Sequence, residues 1–225
     1  IRVNDDIRTW KGWIFDDPNG IMLGEMVHFI DAALWLAGSD PVEVYANGST
    51  RGNFTQVISF RDGSLATLQH SMVGNFDYPK ELFEVSARNV TIALDHFLEV
   101  RQRGLDREPF RTCFPLDVGR QFSNQQGIEA FHEAVDRLQE LKTAGTPLPC
   151  PVIFPDKGHR QQLERFARHI RGTGANPCPV DNAIVVTRIA LKLLQSARTG
   201  QALRLLPEDY DLVCGDFAAL YSYKM

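Results

Sequence analysis

Between Ile21 and Ala37 the sequence carries only three ionisable side chains, Glu25, His28 and Asp31. A spacing of i, i+3, i+6 sets them along one side of a helix, with Trp35 one turn beyond Asp31. An imidazole can accept or donate a proton near neutral pH. Glu25 or Asp31 would then orient it or bind substrate hydroxyls. Metal binding is a second chemistry for the same trio, although two carboxylates and one His lack further ligands. An ordinary amphipathic helix with this side in water is the plain alternative.

Other chemistry-bearing patterns are missing. There is no G-x-G-x-x-G, so the chain has no Rossmann phosphate fingerprint, and neither G-x-x-x-x-G-K-[ST] nor G-x-S-x-G occurs. Gly172-Thr173-Gly174 follows a helical stretch and reads as a connection. His132-Glu133-Ala134-Val135-Asp136 has Asp136 where a zinc-protease helix needs its second His. None of Cys113, Cys150, Cys178 and Cys214 sits in a C-x-x-C pair, which gives no support to a zinc ribbon or a disulfide framework and fits a reducing cytoplasmic compartment.

The elements that must position the trio follow from periodicity. Residues 21–37 repeat apolar side chains at helical spacing, and Gly38 suits the position just past a helix end. From Pro41 the period changes to two, and runs at 42–46, 54–60, 65–70, 81–86, 90–95 and 97–101 read as strands. Arg61-Asp62-Gly63 and Ala87-Arg88-Asn89 read as hairpin turns. Helices are expected over 125–143, from near Gly158 to Gly172, and from a cap at Asp181 to Arg198. Residues 104–122 and 144–155 are turn-rich, and 207–225 has no clear pattern. This order predicts an α+β fold with an open, mainly antiparallel sheet and helices packed on one face, and no Rossmann domain.

The 225 residues, 44% apolar and 23% charged, are enough for a sizeable core. A net charge of −4 and a pI near 5.9 argue against a nucleic-acid partner. The most apolar stretch, 183–194, is interrupted by Arg188 and Lys192, so no membrane span is expected. The chain opens IRVNDDIRTW without an initiator Met, and the expectation is a piece of something longer.

A family resemblance sharpens these readings. Arg2-Val3-Asn4, then Trp13, Asp16-Asp17-Pro18 and Gly20-Ile21-Met22-Leu23-Gly24-Glu25-Met26-Val27-His28-Phe29-Ile30-Asp31 resemble the start of the C-terminal domain in the glucose–fructose oxidoreductase/inositol dehydrogenase (Gfo/Idh/MocA) family. The closest likeness is to the subgroup reading G-E-x-x-H-F-x-D. Residues 81–95 with His96-Phe97, Asp156-Lys157-Gly158-His159, and residues 180–200 are similar to later segments of the same domain. The resemblance covers 1–103 and 156–205, leaving 104–155 as a helical insertion in a single domain over 1–225.

That resemblance implies a nicotinamide-dependent oxidoreductase acting on a sugar, cyclitol or related hydroxy compound. NAD or NADP and a catalytic Lys would belong to an N-terminal Rossmann domain, so this fragment alone is expected to bind no cofactor and to be inactive. His28 matches the family's active-site His and Glu25 the subgroup's acidic residue, which makes both catalytic candidates. Asp31, Arg2 and Asn4 are the substrate-binding candidates. Trp10 and Trp13 either stack on a sugar face or cover the helix end. Gly24 stands where the broader family has Asp, Asn19 precedes Gly20 in a reduced glycine turn, and Ile21 stands where the subgroup often has Arg. These departures bear on substrate identity and leave room for a non-catalytic assembly or ligand-sensing domain. The open sheet face implies a homo-oligomer.

Overall fold

In a computed structural model, residues 1–17, 19–116, 126–147, 155–206 and 209 are described. The fold is α+β. Its nine strands among the described residues make open, mainly antiparallel sheet. The chain divides into two compact units: Ile1, Asp6–Val73 and Arg160–Met225 form the first, and Arg2–Asp5 with Gly74–His159 form the second.

In the first unit a 3-10 turn at Ile7–Thr9 precedes a one-turn helix, α1 (Trp13–Asp16). A π-helical turn, Met22–Met26, runs into α2 (Val27–Ala37). Three strands follow: β2 (Pro41–Gly48), β3 (Asn53–Phe60) and β4 (Leu65–Ser71). They pair as antiparallel hairpins, with Val44 opposite Ile58 and Ile58 opposite Ala66. Ile1 adds to β4 in a parallel pattern, donating to Thr67 O at 2.8 Å and accepting from Gln69 N at 2.9 Å. The unit also holds α4 (His159–Ile170, from Arg160), α5 (Val180–Thr199) and β9 (Leu203–Arg204), which pairs with β2.

The period of two has a direct outcome here. Val44, Ala46, Phe54, Ile58, Phe60 and Leu68 are buried, while Tyr45, Thr55, Leu65 and Thr67 on the opposite side are exposed. Helices α2 and α5 pack on the buried side. Their inner residues, Ile30, Leu34, Val185, Ile189 and Leu193, are almost completely enclosed. Ser196 Oγ accepts the Ala46 N–H at 2.9 Å and donates to Gln201 O at 2.6 Å, tying α5 to β2.

Two expectations for this unit change. The segment 21–37 is not one α-helix, because its first turn is π. Helix α5 starts at Val180 with Pro179 extended at the cap position, so Asp181 lies inside the first turn and makes no cap. Proline's fixed φ is already suited to a helix start, and a carboxylate in the first turn still favours the helix dipole. Helix α4 forms within the stretch expected from near Gly158 to Gly172, yet Leu163 and Ile170 are each 69% exposed.

The second unit holds β1 (Arg2–Asn4), β5 (Glu81–Ala87), β6 (Val90–Asp95), β7 (Glu99–Arg103), β8 (Arg111–Cys113) and α3 (Gly127–Thr143). The strand order is β8-β7-β6-β5-β1. Arg88-Asn89 is a two-residue turn and His96-Phe97 opens the three-residue turn 96–98, with positive φ at both named positions of each (51°, 65° and 49°, 58°). The expected strand at 97–101 therefore begins later, at Glu99. Helix α3 packs Ala130, Phe131, Ala134, Val135 and Leu138 on Leu98 and Leu116, with Ile128 and Leu141 at the edge. Residues 117–125 and 148–154 of the expected insertion, and 207–208 and 210–225 of the tail, lie outside the described residues, as do Cys150 and Cys214; Cys113 and Cys178 are free. No helix among the described residues is long and apolar enough to cross a membrane.

Candidate functional site

The site of the first unit rests on the chain from Gly12 to Asp31. Helix α1 closes with Asp16 N–H on Gly12 O and Asp17 N–H on Trp13 O, both 2.9 Å. Asp17 then turns the chain, its carboxylate accepting the Asn19 N–H at 2.6 Å and its carbonyl the Gly20 N–H at 3.0 Å. Two arginines from elsewhere in the unit hold this turn. Arg51 Nη2 donates to Asp16 O at 2.9 Å, and Arg198 Nη2 donates to Asn19 Oδ1 at 2.7 Å. Gly20 lies flat on α1, where a Cβ would stand 2.2 Å from Ile14 O. Only glycine allows that approach.

The chain then enters the π turn. Met22 and Met26 are buried, Glu25 is half-buried, and Gly24 faces Ile14 and Trp13. The π turn closes i to i+5 and is wider than an α turn, so residues four or five apart come into line in place of residues three or four apart. His28 comes four residues after Gly24 and three after Glu25, in the first turn of α2. From His28 to Asp31 the helix is regular. His28 is exposed and Asp31 half-buried, while Phe29 and Ile30 between them face the core. π turns inside helices occur frequently at functional sites. Among the described residues no group of three or more His, Cys, Asp or Glu side chains is arranged to hold a metal ion.

Arg2 and Asn4 belong to the second unit and have partners there. Asn4 Nδ2 donates to Asn75 O at 2.7 Å and to Tyr78 O at 3.5 Å, and the Asn4 N–H donates to Lys80 O at 2.7 Å. Its side chain fills the space over Gly74, where a Cβ would collide with it. The Arg2 guanidinium lies over the Tyr78 ring at 5.2 Å. Both residues thus brace the 74–80 loop. The neighbouring Asp5, fully buried, meets Lys80 Nζ at 3.4 Å.

The sequence reading missed a buried ionic cluster in this unit. One Glu81 oxygen meets His96 Nδ1, and the other meets the Lys157 ammonium. Burial raises the Glu81 carboxyl, but the His96 hydrogen bond and the Lys157 charge outweigh it and hold the group below its ordinary value. Asp95 is shifted the other way, because its own burial raises it more than Arg101 and Arg2 lower it. Glu81, His96 and Lys157 had entered the reading only as parts of family-like segments, and no local pattern joins positions so far apart.

Residues 2–93 match the family model described as GFO/IDH/MocA C-terminal domain. Over these residues the chain is similar to that domain. The match takes in Arg2, Asn4, Glu25, His28 and Asp31. Solved structures of similar fold include the NAD-binding protein from Listeria innocua (14% identity, 91% of this chain and 57% of that one, TM-score 0.55) and the oxidoreductase domain protein from Kribbella flavida (13%, 91% and 57%, TM-score 0.57). A third is the WlbA dehydrogenase from Bordetella pertussis, solved with NADH and UDP-GlcNAcA (14%, 92% and 55%, TM-score 0.54). The chain spans a little over half the length of these Gfo/Idh/MocA-like structures. No curated protein matched the sequence.

Proposed function

We propose that this chain is the substrate-binding part of a nicotinamide-dependent dehydrogenase acting on a sugar, cyclitol or related hydroxy compound. The observation that carries the reading is His28, exposed at the start of α2, directly after a π turn and inside the segment that matches the family model. His28 takes the proton of a substrate hydroxyl on oxidation and returns it to the carbonyl oxygen on reduction. Glu25 orients the imidazole, and Asp31 accepts hydrogen bonds from neighbouring hydroxyls. Arg2 and Asn4, with the loop they brace, are the substrate-binding candidates within the second unit.

The nicotinamide, NAD or NADP, supplies hydride transfer when bound. The sequence has no G-x-G-x-x-G. On this reading an N-terminal Rossmann domain of the parent protein holds the cofactor, and this chain alone binds neither nicotinamide and is inactive. The sugar nucleotide seen with the Bordetella enzyme supports a polyhydroxy substrate. The sheet side that exposes Tyr45 and Leu65 supports a homo-oligomer. Gly24, standing where the broader family has an acid, favours a second reading as a non-catalytic assembly or ligand-sensing domain.

The deciding experiment is His28→Ala in the full-length protein. A fall in kcat of about 10²-fold or more is expected for an acid/base group. An unchanged kcat removes His28 from the chemistry, and an inactive parent supports the second reading.

A further inference from the structure

We propose that Trp13 is a stacking platform for the C–H face of a six-membered polyol ring bound at His28. This rests on the reading of His28 given above and adds a residue that sets which substrates fit.

Trp13 is 62% exposed, although tryptophan carries the largest apolar surface of any side chain. One edge of its ring nevertheless rests on the π turn. The edge of its ring, Cη2, stands 3.4 Å from where a Cβ on Gly24 would be. Ile14 side-chain atoms stand 3.1 and 3.2 Å from the same point. A side chain at 24 would therefore push directly on α1, and the absence of one lets the indole lie against the π turn. His28 is four residues beyond Gly24, a spacing that makes side chains neighbours along one side of a helix.

The backbone under the indole is held from three directions. Gly20 presses on Ile14 O, Arg51 holds Asp16 O, and Arg198 holds Asn19. A large aromatic surface that is exposed and also anchored is pre-organised for a ligand, because little ordering remains to be done on binding. Its chemistry selects the ligand class. The indole face carries partial negative charge and attracts weakly positive C–H groups, while its apolar area leaves water when covered. An acid at position 24 would have placed a hydroxyl-binding carboxylate here. An aromatic plane on a glycine offers a surface for ring carbons, and His28 beside it handles the oxygen.

The test uses the full-length protein and follows the indole N–H resonance of Trp13, assigned by its loss in Trp13→Phe, together with the ring resonances of His28. Myo-inositol and methyl β-D-glucopyranoside are the probes. A saturable shift of the Trp13 resonance with at least one of them is expected, with affinity about tenfold weaker in Trp13→Ala and largely kept in Trp13→Phe. Because Trp13 is mostly exposed, the Ala variant empties no core, and an unchanged melting curve verifies this. If His28 shifts and Trp13 does not, the platform is overturned and the His28 reading stands. If neither shifts, both fall. If Trp13 answers only to nicotinamide mononucleotide, the plane serves the cofactor and the proposal is wrong.

Discussion

His96 Nδ1 lies 3.1 Å from a carboxylate oxygen of Glu81, and each side chain is 2% exposed. The same nitrogen lies 3.1 Å from the Lys80 backbone N–H. Nδ1 serves one of these partners at a time. With a proton it donates to Glu81, and without one it accepts from Lys80. The other Glu81 oxygen is held by Lys157, so β5, the turn after β6 and the segment leading to α4 converge on one carboxylate. Phe131 closes the group from α3, its ring edge-on to His96 at 4.7 Å.

Glu81 should therefore control the acid stability of the second unit. Its folded-state pKa is held down, so the ionised form stabilises the fold above the unfolded value of about 4.3. That contribution is lost as pH falls through the depressed folded value. Glu81→Gln removes one partner of a buried pair and is expected to cost about 3 kcal/mol at neutral pH. Guanidinium melts should show this gap at pH 7 and a smaller one in acid; equal gaps at both would mean that the charge of Glu81 contributes nothing.

Ser196→Ala should loosen α5 from β2. The change leaves the buried Ala46 N–H without its acceptor, a loss of about 1–3 kcal/mol. Hydrogen exchange at Ala46 should speed up together with a lower melting midpoint. Unaltered exchange would show that the amide has another acceptor.

Gly20→Ala should disturb the candidate site through packing alone. Its Cβ meets Ile14 backbone atoms at 2.2, 2.6 and 2.7 Å, and backbone cannot rotate away as a side chain can. The expected cost is about 1–3 kcal/mol, with α1 and Trp13 displaced. In the full-length protein kcat/KM should fall while the His28 side chain itself is unaltered. A variant with wild-type stability and activity would show that α1 moves freely.

Much of the architecture was legible in residue order. The alternation in 42–46, 54–60 and 65–70 marks strands because successive side chains point to opposite sides, and Asp62-Gly63 marks their turn. The stripe Ile128, Phe131, Val135, Leu138 and Leu141 marks α3 for the same kind of reason at a period of 3.6. The spacing of Glu25, His28 and Asp31 and the residues around them were enough to point to the family. Local pattern determines these features because each depends on neighbours within one or two turns.

Tertiary structure decided the rest. The π turn at Met22–Met26 is invisible to periodicity, since over five residues its repeat differs from an α turn by less than one position. It widens the turn that carries Gly24 and Glu25 just before His28. Helix α4 has a regular apolar stripe, yet pattern alone does not say whether anything packs on it, and here Leu163 and Ile170 remain exposed. Glu81, His96 and Lys157 lie far apart in the chain and meet only when a hairpin, a strand end and a later loop close on one point. Which side chains pair, and which stay open to a ligand, depends on distances between segments that residue order does not contain.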